Sequence, residues 1–339
     1  MKKYDVIIIG AGPGGLSCAI ELGKSKKRVL LIEKNNVIGT KVCAGGLTYK
    51  DLKEFKIPMS LIEKRFDTVV VHSKHFKANV KSDNPLVCTV NRENLGQWMI
   101  KKLNKNIVVM KGKTVSKIGN GYVVVNNEKI GFESLVGADG SNSLVRKYLK
   151  LKLPMVGVGI QYRIPTKKYN DLELFLDSRF FNEWYAWIFP HKTVALIGTG
   201  YDSKVYSGKV MHDNLDKWIK RKDIDVTNAS FEGAAINGIY QSWDFGNIFL
   251  CGDSAGLTSS LTGEGIYAAL VSGQEVAKKI LDKNYESIKM SELIKINKSH
   301  LKIVKFFMRL GIVRNMVFDI SVFLLKFKYF QEKALKRIA

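Results

Sequence analysis

The stretch YDVIIIGAGPGGLSCAIEL, which begins at Tyr4, limits the folds open to this chain more than any other segment. Its continuous apolar run, residues 6–9, is typical of a parallel strand covered on both faces. The glycines that follow have the spacing G-x-G-x-x-G and are Gly10, Gly12 and Gly15. In order, they permit a tight turn, close approach of a pyrophosphate, and close packing of a helix on the strand. We therefore predict a strand, a turn and a helix from about Pro13 whose positive end points at a phosphate.

A second strand and an acidic residue extend this pattern. The segment RVLLIEKN predicts a strand that ends at Glu33. A carboxylate there can accept hydrogen bonds from both hydroxyls of a ribose, and its distance from Gly10 is close to the spacing of about 20 residues that such folds require. The sequence thus predicts an α/β fold with a Rossmann-like dinucleotide-binding domain, for either NAD or FAD.

Two later segments favour FAD. The segment SLVGADGSNSLVRK predicts a strand that leads to Asp139, and GNIFLCGDSAGLTSSLTGEGIYAAL predicts another that leads to Asp253. Such strand ends should meet at the carboxyl edge of one sheet. Asp253 could bind ribityl hydroxyls, and a helix that starts between Gly263 and Ile266 would direct its N–H groups at the flavin edge that becomes anionic on reduction. An NAD enzyme does not need this third element.

The glycine motif, GADGSNSLVR and CGDSAG…TGEGI together resemble FAD-dependent oxidoreductases that include aromatic hydroxylases, halogenases and geranylgeranyl reductases. Two further stretches resemble the geranylgeranyl reductase family in particular. KVCAGGL, residues 41–47, is similar to that family's cysteine-glycine loop beside the flavin, and YAWIFP, residues 185–190, to its substrate-lining Tyr-x-Trp-x-Phe-Pro motif. NRENLGQWM resembles the arginine-headed helix that contacts FAD, which implies a role for Arg92. The resemblance covers roughly residues 1–280.

The resemblance implies a reductase that saturates carbon–carbon double bonds of a prenyl (geranylgeranyl-type) lipid or related isoprenoid by hydride transfer from reduced FAD. The alternatives are a flavin-dependent monooxygenase or halogenase of the same fold, and a non-catalytic FAD-bearing partner in an electron-transfer complex. The chain departs from the family at His191, where lysine is usual. The residues predicted to bind FAD are Gly10, Gly12, Gly14, Gly15, Glu33, Lys34, Cys43, Ala44, Gly45, Arg92, Val115, Asp253, Gly263, Gly265 and Ile266.

The segment EWYAWIFPHK contains large rings at alternate positions, Tyr185, Trp187 and Phe189. Alternate side chains of a strand share a face, so these rings should point one way and their neighbours the other. One interpretation is a dry wall for an apolar substrate beside the flavin; the other is ordinary core packing. Tyr185 and Trp187, with Cys43, are the candidates for lining the substrate cavity.

The four cysteines are not arranged as C-x-x-C pairs, which fits a reducing compartment and a cytoplasmic protein. Cys43 is expected to line the site and to donate or shuttle a proton. The alternatives are a redox role and a buried, inert thiol whose small size lets the loop pass the flavin. Cys18 and Cys251 are expected in the core. We predict no metal site, because His72 and His75 have no further ligand pattern around them.

The domain organisation is expected to be discontinuous. An FAD-binding domain would include residues 1–48, 91–150 and 245–285, and an antiparallel substrate domain residues 49–90 and 151–244. Residues 286–339 would form a basic helical segment.

The formal charge of +23 suggests an anionic partner, although part of the lysine excess can be solvated surface. Nucleic acid is disfavoured because no recognised nucleic-acid-binding motif is present. The electron donor would be NAD(P)H or an acidic electron-transfer protein such as ferredoxin. Lys298, Lys302, Lys305 and Arg309 recur at helical spacing, with Ile303, Phe306, Phe307 and Leu310 opposite. This helix either lies at an anionic membrane surface or packs on the protein with its basic face in solvent. The short apolar run at the N-terminus predicts a buried strand rather than a signal peptide.

Overall fold

The computed structural model describes residues 1–152 and 157–338, which fall into two compact units. The first unit contains Met1–Lys41, Arg92–Met155 and Ala235–Leu301, and the second contains Val42–Asn91, Val156–Ala234 and Lys302–Ala339. These units differ from the predicted domains chiefly at residues 42–48, which belong to the second unit, at residues 235–244, which belong to the first, and at residues 286–339, which are divided between the two. The assignment of FAD and substrate to separate domains stays a prediction.

The strands, in chain order, are β1 (Lys3–Ile9), β2 (Val29–Ile32), β3 (Gly46–Thr48), β4 (Ile62–Phe66), β5 (Thr68–His72), β6 (Lys77–Lys81), β7 (Val87–Val90), β8 (Ile107–Met110), β9 (Val115–Gly119), β10 (Tyr122–Val125), β11 (Glu128–Gly137), β12 (Gly157–Pro165), β13 (Leu172–Phe175), β14 (Ala186–Pro190), β15 (Val194–Asp202), β16 (Ser230–Ile236) and β17 (Ile248–Leu250). The α-helices are α1 (Pro13–Leu22), α2 (Tyr49–Glu54), α3 (Arg92–Ile100), α4 (Leu144–Tyr148), α5 (Ser178–Phe181), α6 (Gly208–Arg221), α7 (Ile266–Leu281), α8 (Ile288–Arg309), α9 (Arg314–Leu324) and α10 (Lys328–Ile338).

The first unit is built on a seven-stranded sheet in the order β8-β2-β1-β11-β10-β9, with β17 beside β11. Strands β8, β2, β1, β11 and β17 are parallel. The apolar runs of β1, β2, β17 and the end of β11 are buried, whereas Val108 of β8, at the edge of the sheet, is exposed. An Asn126–Asn127 turn joins β10 to β11, with φ values of 50° and 65°. Asparagine tolerates this left-handed conformation, which two-residue hairpins favour. The predicted α/β fold with a Rossmann-like domain is confirmed.

The second unit contains a seven-stranded sheet in the order β16-β12-β15-β14-β13-β5-β6 and a three-stranded sheet, β3-β7-β4. The larger sheet is mixed, because β13 pairs in parallel with β5 in the register Leu172↔Val69. The predicted strands of residues 151–244, which are β12, β13, β14 and β15, pair antiparallel with one another as expected. Strand β5, from a distant segment of the chain, adds the parallel pairing. The segment VGVGIQYRIP, residues 156–165, predicts a strand of this domain; residue 156 lies outside the described residues, and the described strand begins at Gly157.

The core of the second unit lies between the larger sheet and α6. This amphipathic helix buries Met211, Leu215, Trp218 and Ile219. They join a cluster that includes Ala186 and Ile188 from β14. One face of β14 is thus fixed by core packing, which leaves its other face for a different role.

The C-terminal helix α8 carries basic side chains that are exposed to solvent. Lys298, Lys302, Lys305 and Arg309 are exposed, as the predicted basic face requires. Phe306, predicted on the side of the same helix opposite the basic face, is also exposed. Among the described residues, no helix combines the length and apolarity that crossing a bilayer requires.

Candidate functional site

The turn between β1 and α1 has the geometry of a phosphate cradle. Gly10 has φ +100°, and a Cβ there would lie 2.3 Å from the Ala138 carbonyl oxygen. A Cβ on Gly15 would lie 1.9 Å from the Gly10 oxygen, so helix and strand pack too closely for any side chain. A Cβ on Gly12 would meet nothing within 4 Å. Gly12 also begins α1 without a side-chain cap, which leaves first-turn amides for an anion.

Glu33 lies directly after β2, beside this turn. Its buried carboxylate accepts a 2.7 Å hydrogen bond from the Ala11 amide and a 2.9 Å bond from the Asn35 amide. Each carboxylate oxygen can accept more than one hydrogen bond. Glu33 is therefore held in place by the backbone and retains acceptor capacity for ribose hydroxyls.

Asp253 follows β17 and is surrounded by donors from the first unit. Lys41 Nζ lies 2.6 Å from Oδ2, Ser141 Oγ donates to Oδ2 at 2.8 Å, and Thr258 Oγ1 donates to Oδ1 at 2.6 Å. Burial alone raises the pKa of Asp253, but Lys41 and the two hydroxyls outweigh it and hold the pKa below its usual value. The carboxylate is thus ionised and positioned, and the exposed Lys41 can move aside if a ligand hydroxyl replaces it.

The N-terminus of α7 lies next to Asp253. Gly265 precedes the helix without a side-chain cap, and a Cβ there would lie 2.8 Å from Thr258 Oγ1 and 3.5 Å from Asp253 Oδ1. Asn297 of α8 fixes this loop, because its amide donates to the carbonyls of Gly238, Gly256 and Thr258 at 3.0–3.2 Å. An uncapped helix start beside an ionised carboxylate offers donors and acceptors together, which suits a flavin ring edge and ribityl chain.

Arg92 is the first residue of α3, where Gly39 approaches closely. A Cβ on Gly39 would lie 2.5 Å from the Arg92 carbonyl oxygen, so this contact requires glycine. The Arg92 Nε is buried and has no hydrogen-bond partner among the described residues. A buried donor without an acceptor is costly unless a ligand supplies one. This orphan donor supports the fit of the first unit to a bound dinucleotide.

The other predicted FAD-binding residues of the first unit have varied positions. A Cβ on Gly14 would lie 3.0 Å from the Cys251 Sγ, which is closer than an ordinary van der Waals contact. Gly263 has φ +69° and open space around it, and Ile266 is buried. Lys34 is exposed. Val115 is buried at the start of β9, two residues beyond Lys113, whose amide donates to the Glu33 carbonyl.

Asp139, by contrast, has a structural role. Its Oδ2 accepts the amide of Leu144 at 2.6 Å at the start of α4, and burial raises its pKa. The nearby Arg146 donates to the Ser254 carbonyl at 2.9 Å and steadies the segment that carries Asp253. Of the two aspartates that follow parallel strands, only Asp253 is presented next to the α7 terminus.

In the second unit, the predicted alternation of side chains along β14 is observed. Trp184, Ala186 and Ile188 are buried. The rings on the other side are half-buried and belong to Tyr185, Trp187 and Phe189, which we call the aromatic face. Tyr185 and Trp187 meet edge to face with centroids 6.1 Å apart. Trp187 Nε1 is buried without an acceptor among the described residues. The aromatic face is therefore separate from the core packing on the other side of β14.

The cysteine loop, residues 43–46, packs against the end of this strand. His191 Nε2 lies 3.0 Å from the Ala44 carbonyl oxygen, and its Nδ1 is hydrogen bonded to Glu63. Gly45 has φ +73°, with a would-be Cβ 2.5 Å from the Val90 oxygen and 3.0 Å from His191 Cε1. A Cβ on Gly46 would lie 2.7 Å from the Phe189 ring. The two motifs that resemble geranylgeranyl reductases thus meet in one unit.

The cysteine side chains differ in how far they are buried. Cys18 and Cys251 are buried as predicted, and burial raises the pKa of both. Cys43 is half-buried, and its sulfur accepts the Gly45 amide at 3.3 Å. Its roles as cavity lining and proton donor stay predictions.

Sequence reasoning missed several residues that organise these sites. Lys41, Ser141 and Thr258 hold Asp253, Asn297 fixes the α7 loop, and Glu63 holds His191. Lys41, Ser141 and Thr258 lie within the quoted stretches KVCAGGL, GADGSNSLVR and GNIFLCGDSAGLTSSLTGEGIYAAL, but no local pattern marked them as partners of Asp253. Asn297 and Glu63 are single polar residues whose partners are distant in sequence.

Comparisons with known proteins agree with this geometry. Residues 4–201 match the model of the family described as pyridine nucleotide-disulphide oxidoreductase. The chain is 27% identical over 353 residues to digeranylgeranylglycerophospholipid reductase 3 of Methanosphaera stadtmanae, covering 95% of this chain and 88% of the relative. It is 28% identical over 295 residues to geranylgeranyl diphosphate reductase of Rhodobacter capsulatus, covering 81% and 74% respectively.

Solved structures share the fold at lower identity. A geranylgeranyl bacteriochlorophyll reductase-like protein of Thermoplasma acidophilum superposes with a TM-score of 0.81 at 22% identity, covering 99% of this chain and 96% of that one. The p-nitrophenol 4-monooxygenase of Pseudomonas putida gives a TM-score of 0.75 at 15% identity, covering 100% and 98%. The predicted resemblance to geranylgeranyl reductases and the prediction of an oxidoreductase with the fold of flavin enzymes are confirmed.

Proposed function

The chain belongs to the pyridine nucleotide-disulphide oxidoreductase family, and from this premise we propose that it is an FAD-dependent reductase that saturates carbon–carbon double bonds of a prenyl lipid. Relatives named for geranylgeranyl and digeranylgeranyl substrates support an isoprenoid rather than a small polar substrate. The observation that carries the proposal is the contact between the cysteine loop and the end of β14, through His191 and Phe189.

The first unit would hold the cofactor. We propose that the Gly10–Gly12 turn and the start of α1 bind its pyrophosphate, that Glu33 binds the adenosine ribose, and that Asp253 binds the ribityl chain. Gly265 and the first turn of α7 would face the pyrimidine edge of the ring. Reduced FAD, when bound, supplies the hydride that adds to one alkene carbon.

The second unit would bind the substrate. Tyr185, Trp187 and Phe189 offer half-buried ring surface on which an isoprenoid chain can pack and exclude water. Cys43, half-buried in the neighbouring loop, is the proposed proton donor to the second alkene carbon. His191 would act on Cys43 only through the loop backbone, because its Nε2 contacts the Ala44 carbonyl.

A flavin monooxygenase is the second candidate, favoured by the TM-score of 0.75 with p-nitrophenol 4-monooxygenase. We rank it lower because that likeness is one of fold, whereas the named relatives match in sequence over most of the chain.

The electron donor would be NAD(P)H or an acidic electron-transfer protein such as ferredoxin. The charge of +23 supports the acidic protein, since attraction between opposite charges speeds encounter. We also propose a cytoplasmic location, because Cys18, Cys43, Cys88 and Cys251 are all free thiols.

The test is an anaerobic assay of the dithionite-reduced protein with geranylgeranyl lipids, in which mass spectrometry follows the gain of two hydrogens per reduced bond. Trp187→Ala should alter the product distribution. Trp98→Ala, a half-buried tryptophan of α3, is the matched control and should not. Substrate-dependent oxygen consumption without anaerobic reduction would assign the monooxygenase activity instead. Absence of both reactions in protein that has bound FAD would support a non-catalytic electron-transfer role.

A further inference from the structure

Helix α9 presents apolar side chains to solvent along one face. The face continues into the residues before and after the helix and consists of Ile312, Met316, Ile320, Phe323 and Phe327, which we call the α9 apolar face. Their exposed fractions are 98%, 57%, 51%, 41% and 51%. Their spacing of four, four, three and four residues places them on one side of a helix. Within Arg314–Leu324, all of which the structure describes, no charged side chain is exposed.

Buried polar contacts fix this orientation. On the opposite side of α9, Arg314 donates to the carbonyls of Phe307 at 2.8 Å and Met308 at 3.1 Å. Asp319, at the edge of the apolar face, accepts from Ser73 Oγ at 2.6 Å and the His75 amide at 3.0 Å. Rotation of the helix to cover its apolar face would break these contacts and leave buried polar groups without partners. The apolar face is therefore held outward by the fold.

Basic residues border the α9 apolar face in the sequence and in space. Residues 302–339 contain nine lysines and arginines but only two acidic residues, one of which is the buried Asp319. The Lys326 ammonium lies 5.8 Å from the centre of the Phe323 ring, and Lys328 follows Phe327 directly. Phe306 and Tyr329 add exposed rings on the adjoining helices, with exposed fractions of 54% and 66%.

We propose that the α9 apolar face docks on the surface of an anionic phospholipid bilayer, with the apolar side chains at the boundary of the acyl chains and the lysines among the phosphates. An anionic bilayer satisfies both features at once: apolar side chains leave water, and basic side chains meet opposite charge. A second copy of this chain would satisfy only the first, because its own basic residues would be brought against these. The docking does not depend on which reaction the protein catalyses.

The experiment is flotation of the full-length protein with vesicles of phosphatidylcholine and phosphatidylglycerol, compared with vesicles of phosphatidylcholine alone. The test variant is Ile312→Ser/Met316→Gln/Ile320→Gln, which changes exposed positions only. The matched control is Met59→Gln/Val205→Ser/Val210→Gln, which alters three apolar residues of the second unit with exposed fractions of 52%, 54% and 51%. Circular dichroism checks that all three proteins are folded.

We expect binding to the anionic vesicles, weaker binding as salt rises, and a loss of roughly tenfold or more in partition for the test variant. The control variant should bind like the wild-type protein. Lys302→Gln/Lys305→Gln/Arg309→Gln should reduce both the binding and its dependence on salt. Several outcomes would overturn the proposal. These are no binding to anionic vesicles, equal loss in the control variant, unchanged binding of the test variant, or a wild-type dimer in sedimentation that the test variant abolishes.

Discussion

The Gly10–Gly15 turn of the first unit and the aromatic face of the second reach their geometry by different means. In the turn, the backbone itself is the binding surface, and a Cβ at Gly10 or Gly15 would lie 2.3 Å or less from a carbonyl oxygen. On the aromatic face, side chains form the surface, and the core on the other side of β14 holds them in place. A ligand that needs backbone contact restricts residue types strictly, whereas a ligand that needs apolar area restricts them loosely.

The largest expected effect lies within the turn itself, between Gly15 and Gly12. Gly15→Ala should cost more than about 4 kcal/mol of stability, because the new Cβ would lie 1.9 Å from a backbone oxygen that cannot move freely. Gly12→Ala, where a Cβ meets nothing within 4 Å, should retain most of its stability but bind FAD more weakly. Thermal unfolding and FAD titration of the apoprotein measure both. Similar unfolding temperatures for the two variants would contradict the assignment of separate packing and binding roles.

The second prediction contrasts two tryptophans of the second unit. Trp218 is buried in the core, so Trp218→Ala should cost about 3–5 kcal/mol. Trp187 is half-buried on the aromatic face, so Trp187→Ala should cost only about 1–2 kcal/mol. Denaturant unfolding gives both values. An equal loss of stability in the two variants would show that Trp187 contributes to folding as much as a core residue does.

The third prediction separates the two aspartates that follow parallel strands. Asp253→Ala should weaken FAD binding by roughly tenfold or more, since charge-assisted hydrogen bonds contribute about 1.5–3 kcal/mol. Asp139→Asn should lower stability through the start of α4 and leave FAD affinity unchanged. Fluorescence titration of each apoprotein with FAD measures the two dissociation constants. An unaltered dissociation constant in folded Asp253→Ala protein would remove Asp253 from the site.

The smallest expected effect is on the stability of the protein at low pH. Because the folded-state pKa of Asp253 is lowered, its ionised form stabilises the protein above the usual carboxyl range, and this contribution is lost as pH falls through the lowered value. Lys41→Met removes the main favourable charge, so the loss should begin at higher pH and amount to about 1 kcal/mol or less after solvent screening. Apoprotein unfolding measured between about pH 3 and pH 7 tests this. Lys26→Met, at another exposed lysine, should leave the pH profile of the wild type intact.

The sequence predicts best where a local rule admits few residues. The turn glycines, the position of Glu33 after β2, the uncapped start of α7 and the alternation along β14 all follow from such rules. The surroundings of Asp253 do not, because Lys41 and Ser141 are 212 and 112 residues away in the chain. The parallel pairing of β13 with β5 is equally non-local.

Helix α9 shows a different limit of prediction from the sequence. Its sequence indicates that one side is apolar, but the direction in which that side points depends on Arg314 and Asp319 finding partners inside the protein. Amphipathic spacing gives the two faces of a helix and does not decide which of them is buried. Phe306 on α8 illustrates the same point, since its spacing placed it opposite the basic face without deciding whether that side is covered, and its ring is exposed.

The packing of α1 on α7 has a consequence for synthesis on the ribosome. Ser17 Oγ donates to the Leu270 carbonyl at 2.6 Å across 253 residues, and a Cβ on Gly273 would lie 2.2 Å from the Gly14 oxygen. Helix α1 therefore emerges long before the helix that covers it. At about 5–20 residues per second, the wait is on the order of tens of seconds. During that time α1 lacks the packing of α7, and its buried face is covered only after residues 266–281 have been made.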